Sequence, residues 1–133
     1  MLIYCDSVIL IYWLDQIGPL HLRAENRMLA LQAAGDRVAV SDLTRLECRV
    51  GVLKRRDAVA LASFDRFFAR PDVPLVPLTA KVFDRAAQMR ADLRFKTPDA
   101  LHLAAAIEAG CGRFLTYDAR LSRCTDIPVE ILP

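Results

Sequence analysis

Short apolar segments alternate with longer helix-forming segments along the whole chain. Polar, glycine or proline residues bound most of these apolar runs, as is typical of strands, and the runs are 2–5, 38–40, 73–76, 113–116 and 128–132. Between most of them, apolar residues recur every three or four positions, which is the period of a helix with one buried face. Strands joined by helices form parallel sheets that are covered on both faces. The sequence therefore predicts an α/β fold, a three-layer α/β/α sandwich around a central, mainly parallel sheet.

The length and composition indicate one domain that does not enter a membrane. A chain of 133 residues falls within the roughly 100 to 200 residues typical of a domain, so we expect residues 1–133 to form a single unit. Although 54% of the residues are hydrophobic, charged residues interrupt the long apolar runs, and we expect no membrane span and no secretory leader. The four cysteines form no CxxC pair, so we expect buried free thiols rather than a zinc site or disulfides. These features predict a cytoplasmic protein.

Four acidic residues stand where predicted strands end or predicted helices begin. Asp6 follows the first strand, and Glu47 lies early in the helix after the second strand. Asp99 lies in the first turn of a helix for which Thr97 is the expected N-cap, and Asp118 follows the strand at 113–116. Strand ends and adjoining helix starts share one edge of a parallel sheet. We therefore expect the four carboxylates to lie close together.

Each of these acids also has a simpler explanation. A carboxylate near a helix start can cap the helix or interact with its dipole, and Glu47 could close a capping box with Thr44. As a set they favour a metal site, because neighbouring acids repel one another unless they share a cation. Oxygen ligands select Mg²⁺ or Mn²⁺ over Zn²⁺. His21 and His102 are isolated in sequence, and we expect His102, three residues after Asp99, to pack or cap locally rather than to bind metal.

Other site chemistries lack their motifs. The sequence contains no GxSxG nucleophile motif and no glycine-rich phosphate loop. A net charge of +2 is too small to indicate nucleic-acid binding, so the distribution of cations must carry that argument. The basic residues closest in sequence to the acids, which are candidates for RNA phosphate contacts, are Arg45, Arg49, Lys96 and Arg120. Their alternative role is in local ion pairs on a solvated helix face.

Four segments together resemble the PIN domain and, within it, the VapC-like toxins of bacterial type II toxin-antitoxin pairs. The segments are DSVILIYWL, TRLECRVGVL, TPDALHLAAA and FLTYD. The resemblance implies a PIN-like fold and a Mg²⁺-dependent, or Mn²⁺-dependent, endoribonuclease that cleaves RNA phosphodiesters with a metal-activated water. It also implies an acidic catalytic and metal-binding quartet braced by hydroxyl residues. The quartet is Asp6, Glu47, Asp99 and Asp118, and the hydroxyl residues are Ser7, Thr44 and Thr116.

The resemblance further implies a homodimer and a cognate antitoxin as partners, with RNA as the substrate. The sequence departs from the family in one motif, because Tyr117 stands where Thr-Asn-Asp usually has its Asn. Two readings remain open beside the toxin: a catalytically silent PIN-like module that binds proteins, and a housekeeping RNA-processing nuclease without an antitoxin. A receiver or phosphatase domain would need paired early acids, and Asp6 has no acidic neighbour.

Overall fold

A computed structural model describes residues 1–15 and 18–133 and contains one five-stranded sheet in those residues. The strands are β1 (Leu2–Cys5), β2 (Arg37–Ser41), β3 (Leu75–Val76), β4 (Arg113–Thr116) and β5 (Val129–Ile131). Their order across the sheet is β3-β2-β1-β4-β5, and every neighbouring pair is parallel. The predicted α/β fold with a central parallel sheet is confirmed.

Six α-helices connect the strands in the described part of the chain. They are α1 (Ser7–Asp15), α2 (Gly18–Ala33), α3 (Asp42–Lys54), α4 (Ala58–Phe68), α5 (Ala80–Leu93) and α6 (Thr97–Glu108). A short 3-10 helix, Ala119–Arg123, follows β4. Among the residues described, no helix combines the length and the apolar character that crossing a bilayer requires.

The side chains of the central strands alternate between two hydrophobic layers. On β1, Ile3 and Cys5 pack with residues of α1 to α4, whereas Tyr4 packs on the opposite face with residues of α5 and α6. The same alternation places Leu115 of β4 in the first layer and Phe114 in the second. Because a strand presents successive side chains to opposite faces, a sheet buried on both sides needs an apolar residue at every position. The result is the predicted order of helices, sheet and helices.

Strand β1 is the middle strand, and its C-terminal end fixes where the functional residues meet. Ile3 is in register with Val38 on one side and with Arg113 on the other. The amide of Asp6, directly after β1, donates to the carbonyl of Leu115 at 2.9 Å. The residues that follow β1 and β4 therefore leave the sheet side by side at the same edge.

Two local predictions need correction. The strand predicted at 73–76 is only two residues long, because Pro74 has no amide hydrogen to donate and contributes only its carbonyl, which accepts from Val40 at 3.1 Å. Thr97 is not the N-cap of α6. The carbonyl of Lys96 accepts the first helical hydrogen bond, from Ala100 at 3.0 Å, so Lys96 is the cap and Thr97 is the first helical residue.

The cysteines are free and buried, as predicted. Cys5 and Cys48 lie in the layer beneath α1 to α4, and Cys111 and Cys124 lie in the layer beneath α5 and α6. Burial raises the pKa of the Cys111 thiol to about 11, which keeps it protonated and unreactive near neutral pH.

Candidate active site

The four acids predicted as a set line one open pocket at the C-terminal edge of the sheet. Asp6 follows β1, Glu47 projects from α3, Asp99 lies in the first turn of α6, and Asp118 follows β4. The remaining lining residues are Ser7, Val8, Thr116, Tyr117 and Ala119. The structure therefore brings together acids that are up to 112 positions apart in the sequence.

Asp6 is held by two short hydrogen bonds at the floor of the pocket. One carboxylate oxygen accepts from the amide of Ser7 at 2.8 Å, and the other accepts from the hydroxyl of Thr116 at 2.7 Å. The Thr116 oxygen in turn accepts from the amide of Asp118 at 3.1 Å. Thr116 is fully buried and links the first acid of the set to the last.

Replacing Thr116 with Val should impair the site while the fold is retained. Valine has nearly the same shape but lacks the hydroxyl, so Asp6 loses a hydrogen bond and the amide of Asp118 loses its acceptor, at a cost of about 1–3 kcal/mol of unfolding free energy. Loss of groups that orient a metal-binding carboxylate typically costs about 10-fold to 100-fold in activity. We expect Thr116→Ser, which keeps the hydroxyl, to retain most of the activity. If the activity expected from the sequence, RNA cleavage, is equal in the valine and serine variants, the bracing role is contradicted.

Glu47 is held by a hydroxyl and by a histidine. The Ser7 hydroxyl donates to Glu47 Oε1 at 2.7 Å, and His102 Nε2 contacts the same oxygen. Burial disfavours the charged carboxylate, but the hydrogen bond from His102, followed by the bond from Ser7, lowers the pKa of Glu47 below its usual range. Glu47 is therefore kept ionised.

His102 lies behind Glu47, at a position that the sequence did not reveal. It is 1% exposed and contacts Glu47 on a different helix, rather than capping or packing within α6. Its partner is 55 positions away, so sequence spacing contained no signal of the contact. The only local hint is that His102 lies one helical turn after Asp99, on the same side of α6.

The negative charge of Asp99 is disfavoured by its surroundings. Its carboxylate accepts no hydrogen bond from any residue in 1–15 or 18–133. Burial, then the negative charges of Asp6 and Asp118, raise the pKa of Asp99 above its usual range. A cation bound between these acids would remove that repulsion.

Asp118 has a basic partner within the same turn. The guanidinium of Arg120 donates to both carboxylate oxygens, at distances from 2.6 to 3.2 Å. These bonds hold the pKa of Asp118 below its usual range. Asp118 also caps the 3-10 helix by accepting from the Arg120 amide at 3.0 Å. The capping role considered from the sequence is therefore real, and it coexists with a place in the pocket.

The pocket has the right chemistry for a hard cation, although its side chains are not already gathered as a ligand set. Across the described residues, no three His, Cys, Asp or Glu side chains converge on one point as metal ligands do. Two of the four acids face internal partners, Glu47 with His102 and Asp118 with Arg120. Asp6 and Asp99 have no salt bridge within the described part of the chain. Carboxylate and hydroxyl oxygens are ligands that suit Mg²⁺ or Mn²⁺. They do not suit metals that prefer thiolate or imidazole ligands.

The other predicted residues fall into two groups. Ser7 and Thr116 contact the acids directly, whereas Thr44 is one step removed and contacts the Tyr4 hydroxyl at 3.3 Å. Of the candidate cations, Arg49 is paired with Asp65 and Arg120 with Asp118. Arg45 and Lys96 are exposed and form no salt bridge with the residues that the structure describes.

Tyr117 connects the pocket to the start of α2. Its hydroxyl donates to the carbonyl of Leu20 at 3.1 Å, and its ring packs edge-on against Tyr12 with centroids 5.4 Å apart. An asparagine is too short to span this contact. The departure from the Thr-Asn-Asp motif therefore replaces a short polar residue with one that ties the end of β4 to the α1 and α2 pair.

Comparison with known proteins gives a family and several similar folds. The PIN domain family model matches residues 3–126. Among solved structures, VapBC2 from Rickettsia felis, bound to a promoter DNA fragment, aligns over 100% of both chains with 18% identity and a TM-score of 0.81. VapC20 from Mycobacterium tuberculosis, described as a sarcin-ricin loop cleaving toxin, aligns over 98% of this chain and 99% of its own with 20% identity and a TM-score of 0.78. VapBC-1 from nontypeable Haemophilus influenzae aligns over 99% and 98% with 16% identity and a TM-score of 0.74. No curated protein sequence matches significantly.

Proposed function

Because the chain belongs to the PIN domain family, we propose that it is a metal-dependent endoribonuclease and the toxin of a toxin-antitoxin pair. One observation carries the proposal: four carboxylates from four separate elements line one pocket, where burial and the charges of Asp6 and Asp118 oppose the charge of Asp99. A protein that used this fold only for binding would have no need for such an arrangement, since it costs folding stability. We take residues 1–133 as one nuclease domain.

Asp6 and Asp99 would hold Mg²⁺ or Mn²⁺, with Glu47 and Asp118 as further ligands, directly or through water. A bound divalent cation lowers the pKa of a water molecule and offsets the charge that develops on a phosphate during displacement. The residues of the chain perform the remaining tasks. Ser7 and Thr116 fix the carboxylates, and the pocket edge orients one RNA phosphate against them. In-line hydrolysis then leaves a 5′-phosphate and a 3′-hydroxyl.

Cations at the rim would hold the RNA backbone. Arg45 and Lys96 are exposed and form no salt bridge with the described residues, so both are available to contact phosphates. Arg49 and Arg120 are engaged by Asp65 and Asp118, so each would have to exchange a carboxylate for a phosphate. Such contacts do not depend on base sequence, and they weaken as salt concentration rises.

The partner proposals are a cognate antitoxin and a second copy of the chain in the cytoplasm. The antitoxin is supported by the similarity in fold to VapBC complexes. The homodimer is supported by an exposed apolar stripe on α3, formed at helical spacing by Leu46, Val50 and Leu53, which are 58%, 40% and 51% exposed. Sedimentation of the purified chain checks the dimer directly.

The test of the proposed function is RNA cleavage by the purified chain with and without divalent cations. We expect cleavage of a structured RNA in Mg²⁺ or Mn²⁺, loss of cleavage after addition of a chelator, and recovery when excess Mg²⁺ is restored. Single-stranded DNA of the same sequence is the control for the substrate class. Cleavage that continues unchanged in chelator would contradict the proposal, as would preferential cleavage of the DNA.

A further inference from the structure

We propose that His102 is a positioning residue that fixes the carboxylate of Glu47, and that a buried chain of hydroxyl groups leading through Tyr4 fixes the ring of His102. The inference rests on the proposed function, because it assigns a role in the same pocket. It adds a part of the site that lies behind the acids and that does not touch the substrate.

His102 joins three elements of the fold through its two ring nitrogens. It projects from α6 and is 1% exposed. Nε2 contacts Glu47 Oε1 on α3, and Nδ1 lies 2.7 Å from the hydroxyl of Tyr4 on β1. The Tyr4 ring also meets the imidazole ring edge-on, with centroids 5.6 Å apart. Both nitrogens are satisfied and the ring is packed, so its orientation is fixed.

The hydrogen-bond chain behind His102 has a defined direction. The Thr44 hydroxyl oxygen accepts from the amide of Ser41 at 3.1 Å, which leaves its hydrogen free to donate. The Tyr4 oxygen lies 2.8 Å from the Ser41 hydroxyl and 3.3 Å from the Thr44 hydroxyl, so it can accept from both. The Tyr4 phenol then keeps its own hydrogen to donate. That hydrogen points to His102 Nδ1.

The direction of this chain sets the tautomer of His102. When Nδ1 accepts from Tyr4, the neutral ring carries its hydrogen on Nε2, which faces Glu47. His102 then donates to Glu47 Oε1, as the Ser7 hydroxyl does at 2.7 Å. Within the described residues, Oε2 of Glu47 accepts no hydrogen bond. One oxygen is thus held from behind by two donors, and the other is left for a ligand in the pocket.

Outer partners of this kind orient ligands, and their loss typically lowers metal affinity or activity by about 10-fold to 100-fold. Two substitutions of His102 test the contacts of its two ring nitrogens separately. In His102→Gln the side-chain amide nitrogen can reach the position of Nε2 and donate to Glu47. In His102→Asn the amide ends near the position of Nδ1, so the contact with Tyr4 can remain but the contact with Glu47 is lost.

The experiment measures Mn²⁺ binding by electron paramagnetic resonance, with the Mg²⁺ dependence of RNA cleavage as a second readout. We expect His102→Asn to weaken Mn²⁺ binding and to raise the half-saturating Mg²⁺ concentration by about 10-fold to 100-fold, and His102→Gln to restore most of both. Wild-type Mn²⁺ affinity in His102→Asn would overturn the inference. Equal losses in the two variants would do so as well.

A second variant keeps the test informative if His102→Asn does not fold. Tyr4→Phe keeps the ring and removes only the hydroxyl that sets the tautomer, so we expect weaker Mn²⁺ binding with little change in cleavage at saturating Mg²⁺. Unchanged Mn²⁺ affinity in Tyr4→Phe would contradict the proposal that the chain of hydroxyl groups fixes the ring of His102. The outcome is separate from that of the proposed function: absence of Mg²⁺-dependent cleavage by the wild type refutes the nuclease, whereas a cleaving wild type with an insensitive His102 refutes only this role.

Discussion

RNA cleavage by the Asp99→Asn protein is expected to fall by more than about 100-fold, beyond the loss typical of residues that only orient a ligand. Asn keeps the size of the side chain and removes the charge that is needed to hold a cation. Asp6→Asn should have an effect of similar size, because Asp6 is the other acid of the pocket without a salt bridge among the described residues. Asp84→Asn, on the exposed side of α5, is the matched control and should cleave as the wild type does.

Asp99→Asn should also stabilise the fold. A loss of RNA cleavage in this variant would then not be explained by unfolding. The pKa of Asp99 is raised in the folded protein, so the folded state binds this proton more tightly than the unfolded state does. The stability that Asp99 contributes is therefore greatest at acid pH and is lost as pH rises through the folded pKa. At neutral pH the charge of Asp99 opposes folding, and Asn removes that opposition.

Thermal unfolding at two pH values checks this sign. We expect Asp99→Asn to melt above the wild type at pH 7, and we expect the difference to shrink when the pH falls below the usual range of aspartic acid. A lower melting temperature for Asp99→Asn at pH 7 would show that Asp99 is structural. In that case its loss of cleavage would carry no information about metal binding.

The second large effect is expected in the core, where Phe114→Ala should cost about 3–5 kcal/mol of unfolding free energy. Phe114 is fully buried on β4 and stacks on Tyr4 with ring centroids 5.4 Å apart. A loss of that size is a large part of the roughly 5–15 kcal/mol that stabilises a typical domain. Because Tyr4 contacts His102, the cavity should also loosen the packing behind Glu47.

Chemical denaturation measures this cost, with Phe83→Ala as the control. Phe83 lies on α5 and is 51% exposed, so its removal should change the unfolding free energy by no more than about 0.5 kcal/mol. Similar losses of unfolding free energy in the two variants would contradict the assignment of Phe114 to the hydrophobic core.

The alternation of strands and helices could be predicted from the sequence because a sheet buried on both faces requires continuous apolar runs. The apolar run at 2–5 predicted β1 with its observed bounds, and Asp6, which follows this run, lines the pocket. Errors occurred where backbone hydrogen bonds decide a boundary. Thr97 has a side chain suited to capping, but the first helical acceptor is the carbonyl of Lys96.

Contacts between distant residues could not be predicted, because neither spacing nor periodicity encodes them. The pairing of Glu47 with His102 depends on how α3 and α6 approach each other across the sheet edge. The pairing of Arg49 with Asp65 joins two helices and could not be predicted either. The pairing of Arg120 with Asp118, in contrast, is a local ion pair of the kind that the sequence analysis considered as an alternative.

The most direct test of the proposed chemistry is to determine the chemical ends of the RNA fragments. A purified RNA is cleaved in Mg²⁺, and the fragments are analysed by mass spectrometry, with the Asp99→Asn protein as the control. Hydrolysis by a water molecule in this acidic pocket predicts 5′-phosphate and 3′-hydroxyl ends that are absent from the control. Fragments with 5′-hydroxyl and 2′,3′-cyclic phosphate ends would mean that the RNA 2′-hydroxyl is the nucleophile, and they would contradict the account.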